Sequence, residues 1–207
     1  MIKTKLCGFT DKSTVDLAVA SGADFIGFVF HDTSKRNISP QKAGEISADI
    51  PQSIKKVAVL VDPNNDQIEQ IIQHLKPDFL QLHNTNKERT LEIRNYFQTP
   101  IIKSFAISNE VDLNKIKDYQ KIADYFLFDT KTDEVGGSGT SFDWKILQNL
   151  NISTPWFLSG GLNIANIEPA LKISGTQMID LSSGIEEVKG IKSPKLIIEF
   201  MTKMRGF

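Results

Sequence analysis

Eight short runs rich in β-branched and aromatic residues punctuate this chain, and each is followed by an amphipathic stretch of helical period. The strand-like runs fall at residues 2–7, 25–30, 56–61, 79–83, 101–105, 125–129, 156–159 and 178–182. The helical stretches fall at 11–21, 39–49, 64–75, 87–97, 110–119, 142–150, 163–173 and 193–204, several opened by an Asp, Ser or Asn in the capping position. Unbroken alternation demands parallel strands joined by right-handed crossovers, and eight units leave either a closed ring or a long doubly wound sheet. The ring is favoured: an α/β fold in which one domain over residues 1–207 is a (βα)8 TIM barrel. The length suits one domain with a sizeable core.

An internal echo supports closure. Ala23-Asp24-Phe25-Ile26, Pro77-Asp78-Phe79-Leu80 and Ala123-Asp124-Tyr125-Phe126 each set an aspartate just before an even-numbered strand, about 50 residues apart. Each interval holds two strand-helix units, as in a ring built from repeated pairs. An aspartate at a helix-to-strand turn is also ordinary turn chemistry.

In such a ring the loops leaving the carboxyl ends of the strands build the active site. The residues there are Cys7-Gly8, Phe30-His31, Val61-Asp62, His83-Asn84, Phe105, Asp129, Ser159-Gly160-Gly161 and Ser182-Ser183-Gly184. A lone cysteine is commonly a small buried hydrophobe, but at this end Cys7 is aimed at whatever the loops bind, as nucleophile or base. An ordinary thiol with pKa near 8.5 is only about 3% thiolate at pH 7, so a catalytic role calls for a neighbour that favours the anion or a substrate that accepts its proton directly. Asp129 follows Tyr125-Phe126-Leu127-Phe128, surroundings that would desolvate it and raise its pKa. As a general acid at pH 7 it must be protonated, at a cost of about 4 kcal/mol from a reference pKa near 3.9; its other reading is a cap on the loop that follows.

Gly160-Gly161 and Ser183-Gly184 let the backbone approach a ligand closely, in the two loops where such barrels commonly bind phosphate through N–H groups. Tight turns alone would also want these residues. Arg36 in Ser34-Lys35-Arg36 is a candidate clamp for a carboxylate or phosphate, or half of a solvated basic pair. His83 suits a substrate hydrogen bond or a structural one equally. Val135-Gly136-Gly137-Ser138-Gly139-Thr140, after the sixth strand, reads as a functional loop.

Charge and cysteine usage exclude several classes. Lys plus Arg number 24 against 25 Asp plus Glu, a net charge of -1, so neither nucleic acid nor a membrane surface is an expected partner. One cysteine forms no internal disulfide, and three scattered histidines lack ligand spacing, so no metal is expected and a reducing cytoplasm fits. The start of the chain lacks an apolar targeting region and no apolar run spans a bilayer, which predicts a soluble, unexported protein. The expected partner is a small molecule. No helix face shows an apolar stripe beyond barrel packing, leaving monomer and homodimer both open.

Taken in order, Lys5-Leu6-Cys7-Gly8-Phe9-Thr10, the run Gly22 to Phe30 with Ser34-Lys35-Arg36, Gln81-Leu82-His83, Phe128-Asp129 with Gly136-Gly137-Ser138-Gly139-Thr140 and Phe142-Asp143-Trp144, Ser159-Gly160-Gly161-Leu162, and Asp180-Leu181-Ser182-Ser183-Gly184-Ile185-Glu186 resemble the phosphoribosylanthranilate isomerases of tryptophan biosynthesis. The resemblance runs from the first strand to the last helix. It implies a (βα)8 barrel that converts N-(5'-phosphoribosyl)anthranilate to 1-(2-carboxyphenylamino)-1-deoxyribulose 5-phosphate by an Amadori rearrangement, without metal or cofactor, on a small phosphorylated substrate. Cys7 then matches the general base and Asp129 the general acid. Arg36 matches the arginine at the anthranilate end, His83 is a substrate-binding candidate, and Gly160, Gly161, Ser183 and Gly184 match the phosphate loops.

Three positions depart from the family pattern: Asn84 where glycine is usual, Ser159 where alanine is commoner, and Ser193 where aspartate often stands. The nearest rival is the related histidine-pathway isomerase, which resembles a two-aspartate machine and carries aspartate in place of Cys7. A rival of another class is a phosphosugar-binding barrel in which Cys7 and Asp129 are incidental.

Overall fold

Eight parallel strands close on themselves in the computed structural model, which describes residues 1–130, 143–148 and 150–207. They are β1 (Lys3–Cys7), β2 (Phe25–Phe30), β3 (Lys55–Val61), β4 (Phe79–His83), β5 (Ile101–Ile107), β6 (Tyr125–Thr130), β7 (Trp156–Leu158) and β8 (Met178–Leu181), each hydrogen-bonded to its neighbours in chain order, with β8 returning beside β1. The helices on the outside are α1 (Lys12–Ala20), α2 (Pro40–Ile46), α3 (Asn65–Leu75), α4 (Lys87–Phe97), α5 (Ile167–Ser174) and α6 (Pro194–Met204). The (βα)8 TIM barrel expected from the alternation is the observed architecture. Among the described residues no helix is long and apolar enough to cross a membrane.

Local chemistry sets the helix starts. The side chains of Asp11, Asn64 and Asn86 accept the N–H groups of Thr14, Gln67 and Arg89 at 2.9, 2.8 and 2.8 Å, each satisfying one of the donors that a first turn leaves free.

Three differences from expectation have physical reasons. The stretch Glu110–Tyr119 is a 3₁₀ helix rather than an α-helix. Its inward residues Leu113, Ile116 and Tyr119 are three apart, which lines up one face at three residues per turn. The helix expected from residue 163 begins at Ile167, because the Asn163 side chain accepts the N–H of Ala165 at 2.9 Å and of Asn166 at 3.2 Å and so forms a turn that replaces the first helical turn. A hairpin not expected at all, β9 (Glu186–Val188) with β10 (Ile191–Lys192), follows a 3₁₀ turn at Ser183–Ile185. The start of the expected helix at 142–150 and the glycine-rich loop at 135–140 lie outside the described residues. A short 3₁₀ helix, Trp144–Leu147, occupies the described part of the former.

The repeated aspartates have a shared task. Asp24, Asp78 and Asp124 each accept, at 2.8 Å, a backbone N–H at the start of the preceding odd-numbered strand, from Thr4, Lys56 and Ile101 respectively. Each also donates its own N–H back to the carbonyl of that residue, at 2.8–2.9 Å. The internal echo is therefore a clasp, made three times, that joins β1 to β2, β3 to β4 and β5 to β6 at the amino-terminal face.

Strand pleating divides the core in two. Most apolar side chains pack between barrel and helices. The rest fill the ring, where Phe25, Phe79, Tyr125 and Phe157 meet in tilted and edge-to-face contacts with centroids 5.2–6.3 Å apart and form an aromatic floor.

One outward side chain is costly. Lys103 on β5 is buried, with its ammonium 3.3 Å from the Leu82 carbonyl and 5.6 and 5.5 Å from the ring centres of Phe105 and Tyr119. Burial pushes its pKa down to about 8 from an ordinary 10.5. A lysine depressed in the folded state loses stability as pH falls from the unfolded value through the folded one, so the penalty is complete at pH 7. Lys103→Met is expected to gain about 1–3 kcal/mol at pH 7, and the gain should fade as pH approaches 10.5. Urea unfolding of both proteins across that range checks this; equal stability at pH 7 would mean that the ring contacts already offset burial.

Candidate active site

At the carboxyl-terminal mouth, Cys7 is the last residue of β1 and is only 5% exposed. It points inward among Val57, Val59, Leu127 and Phe157. The neighbouring strand makes room for it at Gly27, where a Cβ would stand 2.6 Å from the sulfur. Burial pushes the thiol up; the Lys5 ammonium pulls it back, Asp180 adds to the rise and Lys192 opposes it.

Asp129 lies two residues beyond inward-facing Leu127 on β6, so it shares the interior face with Cys7 from a strand three steps away round the ring. It keeps some surface open at the mouth, yet the protein crowds its carboxyl closely. Burial, helped by the charge of Asp180, pushes it up to about 6, against the Thr130 N–H at 2.8 Å and the Lys5 ammonium.

Arg36 is not a solvated surface residue. Its side chain is 6% exposed and holds the Glu186 carboxylate in a fork, Nε to Oε1 at 2.6 Å and Nη2 to Oε2 at 2.7 Å. Lys192 on β10 meets the same carboxylate at 2.7 Å and also donates to the Ser182 carbonyl at 2.9 Å, while the Ser182 hydroxyl donates to the Cys7 carbonyl at 3.0 Å. Gly8, with φ of 86°, lets the Arg36 chain pass: a Cβ there would be 2.5 Å from Arg36 Cδ. The unexpected hairpin thus carries the carboxylate that fixes the guanidinium plane beside Cys7.

His83 ends β4 with Nε2 2.8 Å from Gln81 Nε2 and 3.1 Å from the Ser104 hydroxyl. Burial and the nearby cations Lys103 and Lys5 push it down to about 3, so it is neutral at any ordinary pH. Asn84 beside it adopts φ of 57°, so asparagine supplies the left-handed turn that glycine would.

The loops after β7 and β8 bring Gly160, Gly161, Ser183 and Gly184 to the same mouth. Gly160 and Gly161 have φ of 91° and 68°. A Cβ on Gly160 would stand 2.6 Å from the Thr130 nitrogen, and one on Gly184 2.0 Å from the Leu162 carbonyl oxygen, so the loops run in backbone contact. Ser159 adds a hydrogen bond that alanine would lack, donating to Asp180 Oδ2 at 3.1 Å.

Sequence reasoning assigned no role to Lys5, Gly27, Asp180, Glu186 or Lys192. Lys5 and Asp180 were detectable as charges in the inward phase of otherwise apolar strands. Their pairing, 175 residues apart, was not.

Comparison with known proteins identifies the family and the fold. The family model described as N-(5'phosphoribosyl)anthranilate (PRA) isomerase matches residues 4–203. The N-(5'-phosphoribosyl)anthranilate isomerase of Rhizobium meliloti is 42% identical over 208 residues, covering 98% of this chain and 97% of its own. The phosphoribosyl anthranilate isomerase of Thermotoga maritima superposes with a TM-score of 0.91 at 35% identity, over 100% of both chains. A further solved isomerase, in complex with reduced 1-(o-carboxyphenylamino)-1-deoxyribulose 5-phosphate, gives 0.85 at 30% identity, again over 100% of both. A family model spanning nearly the whole chain, a relative sharing two residues in five along its full length, and the same closed ring make one conclusion: the chain belongs to the N-(5'-phosphoribosyl)anthranilate isomerase family.

Proposed function

We propose that this enzyme carries out the isomerisation as an Amadori rearrangement, with Asp129 as general acid and Cys7 as general base. Asp129 gives its proton to the furanose ring oxygen as the ring opens to an iminium. Cys7 then takes the C2' proton, made acidic by the iminium, and the resulting enolamine tautomerises to the ketone. The observation that carries this reading is a pair: the single cysteine and a carboxyl raised to about 6, entering one mouth from strands three apart. At pH 7, keeping a carboxyl of that pKa protonated costs about 1.4 kcal/mol instead of about 4. Gly160, Gly161, Ser183 and Gly184 would offer backbone to the phosphate, and Arg36, with its plane fixed by Glu186, would meet the anthranilate carboxylate. His83, neutral, would serve as a hydrogen-bonding wall.

Loss of anthranilate fluorescence on adding N-(5'-phosphoribosyl)anthranilate tests the activity, with the aminoimidazole substrate of the histidine-pathway enzyme in a parallel assay. Turnover of the first alone is expected; turnover of neither would leave a phosphosugar-binding barrel. Arg36→Ala tests orientation. It is expected to weaken substrate binding by about 2–4 kcal/mol and to leave the affinity for inorganic phosphate unchanged. A parallel fall in both affinities would put Arg36 at the phosphate end.

A further inference from the structure

Lys5 is fully buried, and the chemistry above gives it no task. It stands two residues before Cys7 on β1, so both face the interior. Its ammonium lies 2.7 Å from Oδ1 of Asp180, its register partner on β8, and its charge acts on the Cys7 sulfur two residues along the same face. Ser159 holds the other carboxylate oxygen. Stability does not explain such a pair, since apolar side chains of similar volume generally serve a core as well or better than buried charges.

We propose that the Lys5–Asp180 pair is an internal dipole that favours the ionisation state the reaction needs, its ammonium end promoting the Cys7 thiolate and its carboxylate end keeping Asp129 protonated. Lys5 and Asp180 are then positioning residues acting through the base and the acid. Among the described residues, the charged groups acting on Cys7 are Lys5 on its own strand, Asp180 on β8, Lys192 on β10 and Arg36 in the loop after β2. Lys5 pulls hardest toward the thiolate. At Asp129 the balance reverses, Asp180 acting more strongly than Lys5. One pair so oriented moves the two groups in opposite directions.

The inference deepens the acid-base reading but is tested without turnover. With the single cysteine labelled at Cβ, its carbon resonance followed against pH reports Cys7 alone. The double variant Lys5→Met/Asp180→Asn leaves no unpaired buried charge. In it Cys7 is expected to titrate about one unit higher, roughly a tenfold lower thiolate fraction at pH 7, and the Asp129 carboxyl carbon is expected to titrate lower. Asp180→Asn alone leaves the sulfur as the counter-ion of Lys5, so Cys7 should titrate lower than in the wild type. A merely structural pair would not move one group in opposite senses in the two variants. A double variant in which Cys7 titrates with or below wild type overturns the proposal, and so does a single variant in which Cys7 stays put or rises, each variant deciding alone if the other does not fold. Failure of the base assignment would appear elsewhere, as intact turnover in Cys7→Ala.

Discussion

Cys7→Ala is expected to lower kcat/KM by about 10² to 10⁴, the usual contribution of a positioned base, with the fold retained. The deleted sulfur sits over Gly27, which has no side chain to collapse into the space, and one lost buried atom costs on the order of 1 kcal/mol. Phosphate affinity should hold, because the proposed phosphate loops leave β7 and β8. Turnover within tenfold of wild type, measured on protein with an unchanged circular dichroism spectrum, would remove Cys7 from the mechanism. An unfolded variant would instead make it a core residue.

Asp129→Asn should cost a similar factor and, more tellingly, change the shape of the pH profile. The acid is pushed up to about 6 and the base above its ordinary value, so the active state, protonated acid with ionised base, is a minority form. Below pH 6, kcat/KM of the wild type should rise with pH as thiolate accumulates. Between about 6 and the thiol pKa it should stay level, since each tenfold gain in thiolate is matched by a tenfold loss of acid. The Asn variant has no acid to lose, so its residual rate should climb tenfold per unit straight through that range. A variant that keeps both the level stretch and near wild-type turnover would show that Asp129 only orders the loop behind it. His83 is ill suited to replace it, being held neutral with a pKa near 3.

The features that were legible in the sequence are periodic or local. Alternation of strand and helix named the ring, and the carboxyl ends of the strands named Cys7, Asp129 and the glycine turns, because side-chain direction in a parallel barrel follows from position along the strand. The echo of Asp24, Asp78 and Asp124 was visible, but its meaning lay in hydrogen bonds to strands already passed. The 3₁₀ stretch at Glu110–Tyr119 was readable from its spacing of three, which a search for 3.6 absorbs without notice. The β9–β10 hairpin has strands of three and two residues, too short to show a period. Arg36 with Glu186 and Lys5 with Asp180 join residues 150 and 175 apart, and no local pattern announces a partner at that distance.

The clasps also bear on how the site comes into being. Each aspartate clasp closes a loop of only 20, 22 or 23 residues. The seam between β8 and β1 closes one of 175. Chain entropy alone makes that last closure dearer by about 2 kcal/mol, from the logarithmic growth of loop cost with length. Seven of the eight contacts between neighbouring strands can therefore assemble from nearby chain, while the join that brings Asp180 to Lys5 beneath Cys7 depends on both ends of the polypeptide meeting. The barrel thus becomes chemically complete at its least local contact, and a chain with every clasp made but the seam open would have the cysteine and Lys5 without the carboxylate that pairs with that lysine.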